Sequence, residues 1–366
     1  MTTVGVPTET KTHERRVAVT VAGVEELIAH GVDVLFQSGA GLGSAMGDAE
    51  YSAAGATIVP NAEAAWSADL VCKVKEPQKD EFQFLREDLT LFTYLHLAAY
   101  PEVAERLRSS GTTAIAYETV EVDGELPLLA PMSEVAGRLS VQAGATHLEA
   151  PNGGRGTMLG GVPGVAPANV TVVGGGHVGW NAAKIAAGMG ANVTILDVNV
   201  ARLRYLDDLL AGRMTVIASN RRVVSDAVMT SDLVIGAVLV PGARAPHVIT
   251  EDHIRSMPKG SVVVDVAIDQ GGCVETSRET SHTEPTFMLH DVVHYAVGNM
   301  PGAVPRTSTF ALTNVTTPYL VTLADHGVDG AIERRPELES GVNVRGGTYT
   351  HAAVREALTT DLMETA

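Results

Sequence analysis

Apolar residues in this chain fall into short runs separated by stretches with helical spacing. Residues 4–6, 32–36, 70–74, 89–95 and 113–116 read as buried strands. Between them Val24, Leu27 and Ile28, then residues 62–66, then residues 101–109 read as helices. A longer helix is predicted over 133–147, with Ser133 as its N-cap, because a serine ahead of an apolar-periodic run can accept a free N–H of the first turn. The second half repeats the rhythm, with strands expected at 214–218, 233–238 and 261–266 and a helix at 307–323. Regular alternation of strand and helix predicts an α/β architecture of doubly wound, mostly parallel sheets covered on both faces, in which ligands meet the carboxyl ends of the strands.

One segment carries a more specific pattern. Val170 to Val173 is a strand, Gly174, Gly176 and Gly179 follow at Gly-x-Gly-x-x-Gly spacing, and a second strand ends at Asp197. The glycines permit a tight turn, a close approach of backbone to a pyrophosphate, and contact between helix and sheet. Beyond them Ala182, Ile185, Ala186 and Met189 line one face of a helix that Gly190 can end. A glycine-rich turn alone fits any strand-to-helix connection. The terminal acid is what selects a dinucleotide, since a carboxylate there accepts the ribose hydroxyls of NAD and repels the 2′-phosphate of NADP.

Composition narrows the partners. With 366 residues the chain is long enough for two domains. Its formal charge of −17, from 26 basic and 43 acidic residues, gives no basic surplus to displace phosphate counterions, which argues against nucleic acid. The uncharged stretch 156–183 is broken by glycine and proline and holds the nucleotide turn, so it does not read as a membrane span. The first residues lack a basic region followed by an apolar core, and Cys72 and Cys273 cannot form a disulfide framework, so a reducing cytoplasm is expected.

Chemistry-bearing groups recur at predicted strand ends. Lys75 closes one apolar run ahead of Pro77, His96 closes the next, and Asp269 follows the strand at 261–266. Arg16 lies in a polar loop after the first strand. Each alone fits a surface charge, a satisfied polar group or a turn cap. As a set they suit hydride exchange with a small oxo or imino acid, which needs a cationic clamp on a carboxylate and a group that trades a proton at the carbon–heteroatom bond. His290 and His294 are four apart, but no His-Glu-x-x-His motif results, and no metal is expected. His177, inside the glycine turn, faces either cofactor or solvent.

The segments Gly5-Val-Pro-Thr-Glu-Thr-Lys11, Lys73-Val-Lys-Glu-Pro77, Leu95-His-Leu-Ala98, Met132-Ser-Glu-Val-Ala-Gly-Arg138, Ile235-Gly-Ala-Val-Leu-Val-Pro-Gly-Ala243, Val264-Asp-Val-Ala-Ile-Asp-Gln-Gly-Gly272 and Asn299-Met-Pro-Gly-Ala-Val-Pro305 together resemble the alanine dehydrogenase and transhydrogenase α-subunit family, on the L-alanine dehydrogenase side. The likeness runs nearly from end to end. It implies NAD-dependent oxidative deamination of L-alanine to pyruvate and ammonium, reversible as reductive amination. By the same match Arg16 and Lys75 hold the substrate, and His96 and Asp269 are catalytic. Cofactor contacts are implied at Ser133, Gly174, Gly176, His177, Val178, Gly179, Asp197, Arg202, Ser219, Val238, Leu239, Val266, Ala267, Ile268, Asp269, Arg278, Val297, Gly298, Asn299 and Met300.

The resemblance further implies a discontinuous substrate domain, 1–129 plus 306–366, around an NAD-binding Rossmann domain, 130–305, in a homo-oligomer, a hexamer. The chain departs from the family pattern in several places. Val21 stands where proline is usual, Trp180 replaces a smaller residue, and Gly298 replaces an alanine. Thr322 takes the place of a glutamate that, with a histidine matching His326, binds magnesium in some members, so no such ion is expected. Two rival readings are the NAD-binding part of a proton-translocating transhydrogenase and a non-enzymatic NAD-sensing module.

Overall fold

The computed structural model describes residues 2–210, 212–238 and 245–364. The chain divides into two compact units, Met1–Met132 with Val304–Ala366, and Ser133–Ala303.

In the first unit, strands β1 (Thr3–Val6), β2 (Asp33–Gln37), β3 (Thr57–Val59), β4 (Leu70–Cys72), β5 (Thr90–Thr93) and β6 (Thr113–Ala116) run parallel. Two strands from the far end of the chain, β14 (Val342–Arg345) and β15 (Thr348–Tyr349), complete the order β15-β14-β6-β5-β4-β1-β2-β3. Both antiparallel pairings of the sheet involve β14. Leu91, Val71, Ala114 and Val344 share one buried cluster with Leu107 of the helix Pro101–Ser110, and Leu70, Cys72, Phe92 and Ile115 are buried on the other face, so the strands read as unbroken apolar runs because both faces are covered.

Helix starts follow capping chemistry. Thr20 accepts the N–H of Gly23 and begins the helix Val21–Ala29, so a valine in place of the family's proline leaves the start intact. The helix expected over 307–323 instead spans Pro305–Arg334, with Pro318 inside it and one non-helical residue, Gly327. Its continuation buries Ala331, a residue too small to register in an apolar periodicity.

The second unit holds β7 (Asn169–Val173), β8 (Asn192–Asp197), β9 (Thr215–Ala218), β10 (Leu233–Gly236), β11 (Val262–Asp265), β12 (Thr286–Leu289) and β13 (Val292–Tyr295) in the order β12-β13-β11-β10-β7-β8-β9. All pairings are parallel except that of β12 with β13. The chain moves outward from β7 through β8 to β9, then crosses to β10 on the other side of β7. That reversal opens a crevice at the carboxyl ends of β7 and β10, the usual ligand position of such sheets. The strand β12 went unread because its residues are only partly buried and Met288 is exposed, which leaves no apolar alternation.

One expectation is corrected. The helix containing Ser133 runs Ala130–His147, so Ser133 lies inside the helix and is not its N-cap. Pro131 explains the earlier start, because proline suits a first turn whose N–H groups need no helical partner.

Candidate functional site

The glycine turn of the second unit is built from two kinds of glycine. A Cβ on Gly179 would lie 1.8 Å from the Gly174 carbonyl oxygen, and one on Gly174, which has φ +103°, would lie 2.4 Å from that of Ala237. Those two glycines are required by protein packing. Gly176, the N-cap of the helix His177–Gly188, would meet nothing within 4 Å, so its missing side chain leaves open space at the helix N-terminus. Open space at a helix N-terminus fits a pyrophosphate.

Asp197 ends β8 beside this turn. Its carboxylate accepts N–H bonds from Gly175 at 2.6 Å and Asn199 at 2.7 Å, one on each oxygen. Each oxygen retains a lone pair, as ribose hydroxyls require. Arg202 donates to the Gly175 carbonyl at 2.7 Å, and the Ser219 N–H bonds the Asp197 carbonyl at 2.8 Å. The residues of the turn therefore fit a dinucleotide. His177 is exposed on the first helical position, Val178 is half-buried, and Val238 follows β10. Leu239 lies outside the described residues.

A second loop of this unit follows β11. Asp265 is buried and accepts N–H bonds from Ala267, Cys273 and Val274, which closes the loop that holds Val266, Ala267, Ile268 and Asp269. Both oxygens of the exposed Asp269 accept the N–H of Asn299, at 3.0 and 3.2 Å. A Cβ on Gly298 would lie 2.2 Å from Glu279 Oε1, the end of a side chain that can turn aside, so the departure from alanine has no steric explanation here. Val297 and Met300 are buried in the core of the unit, so only their backbone could meet a ligand. Arg278 stacks on Phe287 at 4.5 Å.

The first unit gathers charge under its strand ends. Arg16 is buried, with Nε 2.7 Å and Nη2 2.5 Å from the two oxygens of Glu14, a bidentate pair that keeps the guanidinium charged despite burial. Lys75 follows β4 and is buried. Its N–H and that of Val74 reach the two oxygens of Glu9, at 3.3 and 2.6 Å. Glu9 also pairs with the fully buried Lys73 at 3.2 Å, and burial, opposed by Lys73, lifts its pKa to about 7.

His96 lies beyond β5 at φ +49°, a left-handed conformation that few residues with a side chain adopt. Its ring stacks on Tyr94 at 5.7 Å with 8° between planes, and its side chain keeps 28% of its surface exposed. Burial first, then the Lys75, Lys11 and Arg16 cations, hold its pKa well below 6.5. The ring is therefore neutral at pH 7 and able to take a proton.

The acids Glu9, Glu14, Glu118 and Asp265 were missed from sequence. Glu9 and Asp265 sit inside two of the motif segments, and Glu118 lies just past the strand β6, so position beside a predicted strand end was the available signal. The two histidines weighed as metal ligands have separate partners. His290 Nε2 lies 2.7 Å from Glu251, and His294 Nε2 lies 2.8 Å from Thr276. Thr322 donates to the Pro318 carbonyl and accepts from Arg335 at 3.1 Å.

A Rossmann sheet with an acid closing its second strand, and a second doubly wound sheet with a lysine and a neutral histidine at adjoining strand ends, are the make-up of a pyridine-nucleotide-dependent oxidoreductase. Residues 5–136 match the family described as Alanine dehydrogenase/PNT, N-terminal domain, and residues 140–352 match its C-terminal domain. The alanine dehydrogenase of Mycolicibacterium smegmatis is 55% identical over 97% of this chain and 96% of its own length. That of Bacillus subtilis is 53% identical over 97% and 94%. A solved L-alanine dehydrogenase superposes with a TM-score of 0.94 at 51% identity, covering 98% of this chain and 99% of the other. A transhydrogenase from Sinorhizobium meliloti reaches 0.81 at 25% identity over 96% and 99%. The chain belongs to the alanine dehydrogenase/PNT family.

Proposed function

We propose that this protein catalyses the NAD-dependent oxidative deamination of L-alanine to pyruvate and ammonium, and the reverse reductive amination. The observation that carries the reading is the neutral His96 beside Lys75 and Arg16. A nucleotide sensor has no use for a desolvated base beside two buried cations, whereas amino-acid chemistry needs both.

Arg16 and Lys75 hold the substrate carboxylate and the oxygen charge that develops at the carbonyl carbon. NAD, when bound at the glycine turn with its adenosine ribose on Asp197, supplies the hydride acceptor. His96 takes and returns protons as water adds to the imine and ammonia leaves the carbinolamine. Asp269 is the second proton-relaying group, and its grip on the Asn299 N–H fixes its direction. The remaining cofactor contacts are those expected from the family match, with Val297 and Met300 acting through their backbone.

The substrate domain is taken as 1–129 plus 306–366 and the NAD domain as 130–305. The active form is a homo-hexamer in the cytoplasm; sedimentation as a lone 38.3 kDa species at assay concentration would contradict the assembly. No described helix is long and apolar enough to cross a membrane.

The reading is tested by NADH oxidation with pyruvate. The rate should require ammonium and exceed that with 2-oxobutyrate. Turnover that ignores ammonium, or hydride exchange between two nicotinamide nucleotides without pyruvate, would favour the transhydrogenase reading instead.

A further inference from the structure

Glu118 lies in the turn Tyr117–Thr119, just past β6, and its side chain keeps only 13% of its surface exposed. β6 is the neighbour of β5, with Ala116 opposite Thr93, so the register brings Glu118 level with the residues that follow β5. There its Oε1 accepts the N–H of His96 at 2.6 Å and that of Leu95 at 3.1 Å, and Oε2 lies 3.3 Å from the same Leu95 N–H. The His96 ring is farther away, with Nδ1 at 3.9 Å from Oε1, beyond hydrogen-bond reach. The carboxylate thus grips the backbone of His96 and not its imidazole.

Two features give that grip a purpose. His96 has φ +49°, a conformation that needs support from its surroundings. The adjoining strand end repeats the device, since Glu9 accepts the consecutive N–H groups of Val74 and Lys75. A charged acceptor shared by two part-buried N–H groups is worth more than a neutral bond, so each strand end is held where sheet pairing has stopped.

We propose that Glu118 is a positioning residue for His96, holding the left-handed turn that directs the imidazole off the end of β5. The proposal rests on the dehydrogenase reading, in which His96 trades the protons. Geometry and charge are separable by substitution. In Glu118→Gln the amide oxygen can stand at the Oε1 position and keep both N–H bonds without the charge, whereas in Glu118→Asp the charge stays but the side chain is one methylene too short.

The test measures reductive amination of pyruvate by the full-length enzyme and the two variants, with NADH affinity and the pH profile of kcat/KM followed in parallel. Glu118→Gln should keep kcat within about threefold, because the backbone anchor survives. Glu118→Asp should lose roughly 10- to 100-fold in kcat, the cost of a small misplacement of a reacting group, with pyruvate KM and NADH affinity within about threefold of wild type. Its acid limb should also move to higher pH, because a released His96 meets more water and its pKa returns toward 6.5. A merely structural role would lower thermal stability without moving that limb. Equal losses in both variants, or wild-type kcat and pH profile in Glu118→Asp, would overturn the proposal. Wild-type enzyme without ammonium-dependent activity would instead overturn the functional reading on which it rests.

Discussion

The two units prepare their chemistry by opposite means. In the nucleotide unit the decisive feature is absent side chains: Gly174 and Gly179 allow backbone to touch backbone, and Gly176 keeps a helix N-terminus open. In the other unit the decisive feature is buried charge, with Glu14 on Arg16, Glu9 on Lys73 and the Lys75 backbone, and Glu118 on the His96 backbone. A phosphate can be met by fixed N–H dipoles, which need only space. A small carboxylate and a migrating proton need full charges aimed from several sides, and those charges must themselves be held. The first unit should therefore be fragile to loss of charge and the second to gain of volume.

The largest effect is expected from breaking a charge pair. Glu14→Ala removes the bidentate partner of a buried guanidinium and should cost about 3–5 kcal/mol of stability, read as a lower denaturation midpoint with unchanged NADH affinity. An uncharged variant as stable as wild type would erase the contrast between the units. The complementary change is Gly179→Ala. Its Cβ meets a backbone oxygen that cannot turn aside, and about 1–3 kcal/mol of overpacking should appear together with weakened NADH binding.

A smaller change is expected at Asp197. Asp197→Ser removes a ribose acceptor and a charge that repels a 2′-phosphate, so the preference for NAD over NADP should fall by about tenfold, or roughly 1.4 kcal/mol. Comparable use of both nucleotides by the wild-type enzyme would remove Asp197 from that role. The smallest effect concerns Lys11, one of the cations that depress the His96 pKa. Lys11→Gln should raise that pKa toward 6.5, so the acid limb of kcat/KM, where protonation of His96 abolishes the base, should move to higher pH by a few tenths of a unit. A downward move would show that the cations are not what holds the ring neutral.

The same contrast decided what could be read from the chain. The nucleotide turn was legible because its requirements are local: Gly174, Gly176, Gly179 and Asp197 occupy one strand–helix–strand segment. Lys75 and His96 were legible only as the polar residues that end apolar runs. Their supports come from elsewhere in the sheet, Glu9 from beyond β1 and Glu118 from beyond β6, and no spacing along the chain announces an acid that will serve the strand beside it. Ser133 misled for a related reason, since its hydroxyl suits a cap but Pro131 had already begun the helix. The short strands β12 and β15 escaped because edge positions impose little apolar pattern.

The central claim is that His96 of the first unit is the principal proton-transfer group, while the second unit holds the nucleotide and contributes Asp269 as a relay. It is tested most directly by one protein, His96→Ala, in which kcat with pyruvate and ammonium and NADH binding by fluorescence are measured on the same sample. The expected result is a kcat lower by about 10² to 10⁴, the usual worth of a positioned acid or base, with an NADH dissociation constant near that of wild type. A near-wild-type kcat, or a loss that follows weakened NADH binding, would contradict it.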